Sequence, residues 1–191
     1  MRKLVAIENV TLDGFADSQE GLGFEWTARA YDDEVDRYSN EQVRADVDMA
    51  MYGRATYLGM QGFWSKVLDS PNGTAAQRAH AKWVNDVDKV VFSTTLESAD
   101  WANSRLISGD VAEEVATLKA QPGGTIAVYA SPKLVHGFVH LGLIDEFRIL
   151  VHPVTLGRGT PLFHDKAKLD FELLESKAFG SGAIYVRYQV I

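Results

Sequence analysis

The stretch Val47-Asp48-Met49-Ala50-Met51-Tyr52-Gly53-Arg54-Ala55-Thr56-Tyr57 decides the fold, because an apolar run meets a glycine and a helix start without an intervening turn. The apolar residues predict a buried strand, and Gly53 lets the backbone come close to a ligand. The first N–H groups of a helix have no partner within the helix and lie at its positive pole, so they suit a phosphate. Arg54 adds a planar, permanently charged group that matches phosphate geometry. The junction therefore predicts an anion site, and an ordinary strand end with a solvated arginine is the alternative.

Composition and charge restrict the class of protein. The chain has 191 residues, 46% hydrophobic and 24% charged, which predicts one globular domain over residues 1–191. The net charge of −7 argues against binding to nucleic acid or an anionic membrane, which needs a basic surface. Cysteine is absent, which excludes disulfides and thiolate metal sites. Because we find no membrane-spanning apolar run and no signal-peptide core, we expect a cytoplasmic protein.

Strands and helices alternate first, and a strand-rich segment follows them. Strands are predicted at 3–11, 47–52, 89–95, 104–107, 125–130, 143–151, 169–177 and 183–190. Helices are predicted from Asp32 or Asp33 to about Ala45, after Gly53, at 74–84, at 110–120 and after Ser131, with loops at 12–32 and 62–72. This order predicts an α/β fold, with a mixed, mostly parallel sheet, antiparallel C-terminal strands and helices on both faces.

Four strand ends carry groups that suit a phosphorylated ligand. In open α/β sheets, ligands lie at the carboxyl ends of the parallel strands. The four ends are 11–14, 53–56, 93–95 and 130–133. Two of them open helices, and a third carries hydroxyls that suit another phosphate, so together they predict one elongated, multiply phosphorylated ligand. The alternative is that the serines and threonines are ordinary caps and turn residues.

Five motifs resemble the dihydrofolate reductase-like superfamily, and they are most similar to the reductase domain of bifunctional riboflavin-biosynthesis deaminase-reductases. The motifs are Thr11-Leu12-Asp13-Gly14-Phe15, Gly53-Arg54-Ala55-Thr56-Tyr57, Val91-Phe92-Ser93-Thr94-Thr95-Leu96, Gly142-Leu143-Ile144-Asp145-Glu146 and Pro153-Val154-Thr155-Leu156-Gly157-Arg158-Gly159-Thr160-Pro161-Leu162-Phe163. The resemblance implies a three-layer fold around an eight-stranded mixed sheet. It also implies an NADPH-dependent oxidoreductase that reduces a small heterocycle, as 5-amino-6-(5-phosphoribosylamino)uracil reductase or dihydrofolate reductase does. A non-catalytic nucleotide- or ligand-binding module on the same fold is the alternative.

The resemblance also implies which residues bind NADPH. They are Gly53, Arg54, Ala55 and Thr56 near the phosphates, Ser93, Thr94 and Thr95 near the adenine-side ribose and its 2′-phosphate, and Ala130, Ser131, Lys133 and Leu134 after the fifth strand. This chain departs from the family at the last group. Where the family presents a glycine pair that lets the backbone meet the pyrophosphate, it has Ala130-Ser131 and then Pro132, which lacks an N–H. The Ser131 hydroxyl could supply a contact instead.

At the substrate end, Asp13 is the candidate catalytic and substrate-binding group, because the resemblance puts it in the loop over the nicotinamide. A turn aspartate bonded to the backbone near Gly14 is the alternative. Trp26 and Trp64 are expected in loops that wall a flat heterocycle, and core packing is the alternative for both. The acidic residues at 32–36 match no motif of the family, so we transfer no folate-binding role.

Metal binding is not expected, although His136 and His140 lie four residues apart on a predicted helix. Their helix buries its other face, and neither a cysteine nor a matching carboxylate lies nearby in sequence, so a solvated face is the better interpretation. The expected partner is a small heterocyclic substrate. A homodimer is possible, because the apolar strands Phe171–Leu174 and Ala183–Val190 offer an edge or a face for pairing.

Overall fold

The computed structural model describes residues 1–17, 25–68, 70, 73–163 and 168–191. Its strands are β1 Leu4–Thr11, β2 Phe15–Asp17, β3 Val47–Gly53, β4 Asp88–Phe92, β5 Ser104–Ile107, β6 Thr125–Tyr129, β7 Glu146–His152, β8 Thr160–Pro161, β9 Phe171–Ala178 and β10 Ile184–Val190. Its α-helices are α1 Asp33–Tyr38, α2 Arg54–Val67, α3 Ala75–Asp86, α4 Val111–Ala120 and α5 Pro132–His140. A 3-10 turn at Glu25–Thr27 precedes α1, and a π-helix at Ser39–Val43 continues it.

Eight strands form the main sheet in the order β5-β4-β3-β6-β1-β7-β10-β9. The pairs from β5 through to β7 are parallel. Strand β10 pairs antiparallel with both β7 and β9, and β2 and β8 form a separate two-stranded ribbon. The mixed, mostly parallel eight-stranded sheet with antiparallel C-terminal strands is therefore confirmed.

Helices cover both faces of the sheet, which makes the three layers that the sequence predicts. On one face α1, α2 and α3 pack through Val35, Tyr57 and Val84. On the other face α4 and α5 pack through Val115 and Phe138. Because the central strands are covered on both faces, β1, β3 and β6 are nearly continuous apolar runs in the sequence.

The helix starts predicted at Asp32 and Thr74 are both capped by side chains, and the cap at Asp32 is the one that was predicted. The Asp32 carboxylate accepts hydrogen bonds from the Glu34 and Val35 amides. Thr74 and Gln77 form a reciprocal capping box at the start of α3. The chain after α1 differs from the prediction, because it continues to Val43 as a π-helix instead of an α-helix.

Two predicted boundaries are wrong. The segment expected to be a loop at 62–72 is helical up to Val67. Trp64 packs against α3, and this tertiary contact outweighs the low helix propensity of glycine. Residues 69, 71 and 72 lie outside the described residues. The strand expected at 89–95 ends at Phe92, because the Ser93 hydroxyl accepts hydrogen bonds from the next amides and starts a turn. The loop expected at 12–32 contains β2, and its residues 18–24 also lie outside the described ranges.

Candidate functional site

The four predicted strand ends lie along one rim of the sheet. Strands β4, β3, β6 and β1 are consecutive neighbours and all run parallel, so their carboxyl ends meet at the same edge. Along this rim stand 93–95, 53–56, 130–133 and 11–14 in turn. The loop that follows β7, at 153–159, continues the rim beyond β1. The fold thus gathers the groups that the sequence analysis singled out.

The start of α2 is open at this rim. Gly53 is its N-terminal cap residue in an extended conformation, and no side chain caps the helix. Arg54 and Ala55 are exposed, and Arg54 makes neither a hydrogen bond nor an ion pair with any residue that the structure describes. A Cβ atom at Gly53 would meet only Leu134, whose Cβ atom would lie 3.9 Å away. Leu134 therefore flanks the junction, as expected for a residue beside the candidate anion site.

Hydrogen bonds join the start of α2 to the start of α5. The Gly53 amide donates to the Ser131 hydroxyl over 3.3 Å, and this hydroxyl donates to the Tyr129 carbonyl over 3.1 Å. The Thr56 hydroxyl donates to the Ala130 carbonyl over 3.0 Å. Both hydroxyls thus have partners within the protein, and the replacement contact of the Ser131 hydroxyl with the cofactor stays a prediction.

Ala130 keeps the backbone shape that a glycine would adopt. Its φ is 49°, in the left-handed region that is uncommon for residues other than glycine. Ala130 therefore takes a backbone conformation that a glycine at this position would adopt without strain. Lys133, one residue beyond Pro132, is exposed at the second position of α5.

Glu8 is a functional candidate that the sequence analysis missed. Its side chain lies behind the start of α5 and is only 2% exposed, and its Oε1 atom accepts a hydrogen bond from the Ser131 amide over 2.9 Å. Burial raises the pKa of Glu8 to about 8, the Ser131 amide opposes this, and the charge of Asp17 adds to it. Since Pro132 has no N–H, the start of α5 offers fewer outward donors than that of α2. An acidic residue within an apolar strand was the signal that could have found Glu8.

The end of β4 forms a hydroxyl-rich turn beside α2. The Ser93 hydroxyl accepts hydrogen bonds from the Thr95 and Leu96 amides over 3.2 and 3.1 Å. Thr94 and Thr95 are exposed on this turn. Because Phe92 pairs with Gly53, the turn lies directly beside the start of α2. Ser93 therefore shapes the turn, while the two threonines face outward.

Asp13 joins the turn after β1 to the loop after β7. Its carboxylate accepts hydrogen bonds from the Thr11 hydroxyl over 2.5 Å and from the Gly157 and Leu156 amides over 2.7 and 3.2 Å. Slight desolvation raises the pKa of Asp13, but these hydrogen bonds outweigh it and hold that pKa below its usual value. Such a carboxylate is a weak proton donor at neutral pH. This geometry favours the turn-aspartate alternative, and the catalytic role of Asp13 stays a prediction.

Trp26 borders a buried polar group on the α1 side of the sheet. The Asn9 amide oxygen accepts from the Tyr31 hydroxyl over 3.0 Å and lies 2.9 Å from His152 Nε2. The Trp26 ring meets the His152 ring edge-on, with centroids 5.1 Å apart. His152 is fully buried, and burial lowers its pKa to about 4, so it is neutral at pH 7. Its Nδ1 atom is buried without a hydrogen-bond partner among the described residues, which leaves one acceptor for a water or a ligand.

Trp64 belongs to a second polar group on the same face. It lies on α2 and not in a loop, and its ring stacks on His80 of α3 with centroids 4.2 Å apart. His80 Nε2 lies 3.0 Å from the Tyr129 hydroxyl, which also accepts from Arg44 over 3.1 Å. Arg44 and Tyr129 are close enough to Tyr31 for their electrostatic interactions to affect the pKa of its hydroxyl. The polar group around His80 therefore adjoins the polar group around His152. Neither polar group was predicted from the sequence, although Asn9 inside an apolar strand was a usable signal.

Metal ligands are not gathered anywhere in the described part of the chain, in groups of three or more. His136 Nε2 lies 2.8 Å from the Pro161 carbonyl, so this histidine contacts β8. The expectation that His136 lies on a solvated face is therefore not met in full. His140 is exposed. Among the described residues, no helix is long and apolar enough to cross a bilayer.

Comparison with known proteins gives the family. The model of the RibD C-terminal domain matches residues 2–185. Bacillus subtilis YyaP, described as uncharacterized, is 31% identical over 188 residues, which are 98% of this chain and 94% of that protein. A putative riboflavin biosynthesis protein from Shewanella sp. PV-4 has a TM-score of 0.77 at 19% identity, with 99% of each chain covered. Enterococcus faecalis dihydrofolate reductase, solved with NADP(H), has a TM-score of 0.60 at 13% identity, with 98% of this chain and 96% of that one covered. These findings confirm the resemblance stated above, and the chain belongs to the RibD C-terminal domain family.

Proposed function

We propose that this protein is an NADPH-dependent oxidoreductase that reduces a small heterocycle, as a 5-amino-6-(5-phosphoribosylamino)uracil reductase or a dihydrofolate reductase does. The observation that carries the proposal is the uncapped start of α2, with exposed Arg54, between the neighbouring ends of β4 and β6. Amides at a helix start and a guanidinium together bind phosphate strongly. Membership of the RibD C-terminal domain family supports the same function.

The residues at α2 fit the phosphate groups of NADPH. The amides of Arg54, Ala55 and Thr56 have no side-chain cap, and among the described residues only Leu134 lies within 4 Å of the position that a Cβ atom of residue 53 would take. These amides and the Arg54 guanidinium would hold a cofactor phosphate. The exposed hydroxyls of Thr94 and Thr95, on the adjacent strand end, would hold the 2′-phosphate, and Lys133 would add charge from α5.

When bound, NADPH supplies a hydride, and the protein's task is to align the substrate and exclude water. We assign substrate binding to the buried polar groups near Trp26 and Trp64. Asn9 and neutral His152 offer hydrogen-bonding groups that suit the polar edge of a heterocycle, and the tryptophan rings would line its faces. Asp13 would act here by holding the loop at 153–159 over the rim.

The test is a titration of NADPH into the wild-type protein and the Arg54→Ala variant. We expect the variant to lose about 1–3 kcal/mol of binding free energy, because a charge-assisted contact to a phosphate is lost. Arg37→Ala, which removes an exposed arginine of α1, is the matched control and should bind as the wild type does. Equal affinity in the folded Arg54→Ala variant would remove the site assignment.

A non-catalytic ligand-binding module is the second candidate, and one observation favours it. At the start of α5, the Ser131 amide donates its hydrogen bond to Glu8, and Pro132 has no N–H group. These two backbone donors are therefore not available to a pyrophosphate on that side. A screen of NADPH oxidation with pterins, pyrimidines and carbonyl compounds separates the two functions. Saturable NADPH binding without turnover on any of these substrates would favour the binding module.

We also infer that the protein is a cytoplasmic homodimer of one domain over residues 1–191. The edge strand β9 supports the dimer, because it is exposed along most of its length, with Leu173 and Leu174 at 52% and 42% exposure. Long exposed edge strands with apolar residues favour pairing with another chain.

A further inference from the structure

The side chain of Glu8 is placed where it would compete with a bound phosphate. The carboxyl group is buried in the layer between β1 and α5, and it accepts the one amide that the cap residue of α5 offers. Ser131 also receives the hydrogen bond from Gly53, the cap residue of α2. A single residue therefore separates Glu8 from the helix start to which we assign the phosphates.

We propose that the Glu8 carboxyl group, which occupies the Ser131 amide at the start of α5, must carry a proton when the diphosphate of NADPH occupies the adjacent rim. Nucleotide binding would then take up one proton from solvent onto the Glu8 carboxylate. The inference rests on the proposed function, because it concerns the same cofactor. It follows from electrostatics: a second anion placed near a buried carboxylate favours the neutral form of that carboxylate.

The other ionisable groups around Glu8 do not replace it in this role. Among the residues that the structure describes, Asp17 of β2 is the one whose charge acts on Glu8, and as a like charge it favours protonation of Glu8. On α5, Lys133 is exposed and His136 is held at the Pro161 carbonyl. In the sheet, the register partner of Glu8 on β7 is Ile149, which is apolar. Arg54 on α2 is exposed to solvent.

The burial of Glu8 sets the pH range in which the coupling is measurable. Because its pKa is raised to about 8, the carboxyl group is mostly protonated at pH 7 and mostly ionised at pH 9. Above about pH 8, the affinity of the wild-type protein for NADPH should fall roughly tenfold per pH unit. Near pH 8.5, binding should take up about 0.8 proton per nucleotide.

The experiment is calorimetric titration of NADPH from pH 7 to 9.5, in buffers that differ in ionisation enthalpy. Glu8→Gln keeps an acceptor for the Ser131 amide but cannot titrate, so it should bind with no proton uptake and with little pH dependence. Glu172→Gln removes one exposed carboxylate from β9 and should behave as the wild type does. Equal pH dependence in the wild-type and Glu8→Gln proteins would overturn the coupling and leave the proposed function intact.

A second measurement reports on Glu8 without the cofactor. The pKa of Glu8 is higher in the folded state than the unfolded value of about 4.5, so the native state keeps its proton to higher pH. The contribution of protonated Glu8 to stability is therefore full below about pH 4.5 and is lost as the pH rises towards 8. The folding equilibrium of the wild type should therefore weaken relative to Glu8→Gln by roughly tenfold per pH unit in this window. If Glu8→Gln does not fold, proton uptake by the wild type alone still decides the coupling. Failure of NADPH to bind the wild type at pH 7 would overturn both the proposed function and this inference.

Discussion

At the scale of single residues, several side chains at the rim of the sheet are hydrogen-bonded to neighbouring parts of the protein. Asp13 fixes a loop, Ser93 shapes a turn, and Ser131 links two helix starts. The amides at the start of α2 have no side-chain cap, and the side chains of Arg54 and Thr94 are exposed beside them. This division is expected of a preorganised site, in which buried polar groups satisfy each other and solvent-facing ones await a partner.

His152 gives a prediction for stability against pH. Its folded-state pKa is about 4 because of burial, whereas an unfolded histidine has a pKa near 6.5. The unfolded state therefore binds a proton first, and the contribution of neutral His152 to stability is full above about pH 6.5 and is lost as the pH falls towards 4. The loss should reach about 2–3 kcal/mol.

The measurement compares denaturant unfolding of the wild type and His152→Gln at pH 7, 6, 5 and 4.5. Glu8 acts in the opposite direction in part of this range, so the difference between the two proteins is the informative quantity and not the stability of either one. The advantage of the wild type over the variant should shrink as the pH falls. A difference that stays constant would show that His152 is not buried in its neutral form.

At the scale of elements, the end of α3 depends on a buried lysine of the next strand. Lys89 of β4 is 1% exposed, and its Nζ atom donates to the carbonyls of Asn85, Val87 and Ala102 over 2.8–2.9 Å. The ammonium also lies 4.7 Å from the centroid of the Trp101 ring. One ammonium group thus donates hydrogen bonds to carbonyls at the end of α3 and in the loop before β5. The carbonyls at a helix end have no partner within the helix.

Lys89→Met should therefore destabilise the protein by about 2–4 kcal/mol, because three carbonyls lose a charged donor in a buried place. Lys82→Met is the matched control on α3: its ion pair with Asp86 is exposed, and its loss should cost less than about 0.5 kcal/mol. The check is the midpoint of chemical unfolding at pH 7. Equal effects of the two substitutions would contradict the capping role of Lys89.

At the scale of the whole molecule, the sequence predicts the sheet and the rim better than it predicts the interior. Parallel strand ends share one edge, so the meeting of Gly53, Ser93 and Asp13 follows from the order of elements alone. Glu8 and His152 were missed because their partners are distant in the chain: Ser131 lies 123 positions from Glu8, and Asn9 lies 143 from His152. A polar residue within an apolar strand marks a position such as Glu8, but it does not tell which distant residue that side chain contacts. Trp64 was placed in a loop for the same reason, since its contact is with His80 of another helix.

The exposed edge of the sheet gives the last prediction, which concerns assembly. Strand β9 runs over eight residues at the edge of the sheet, and pairing with a second copy along this edge would cover Leu173 and Leu174, which are 52% and 42% exposed. Covering exposed apolar side chains and unpaired edge backbone groups favours such pairing. Light scattering should therefore report a dimer, and the double variant Leu173→Lys/Leu174→Lys should be a folded monomer. Leu58→Lys, which alters a leucine of similar exposure on α2, should remain dimeric. A monomeric wild type, or a double variant that still dimerises, would rule out pairing through this edge.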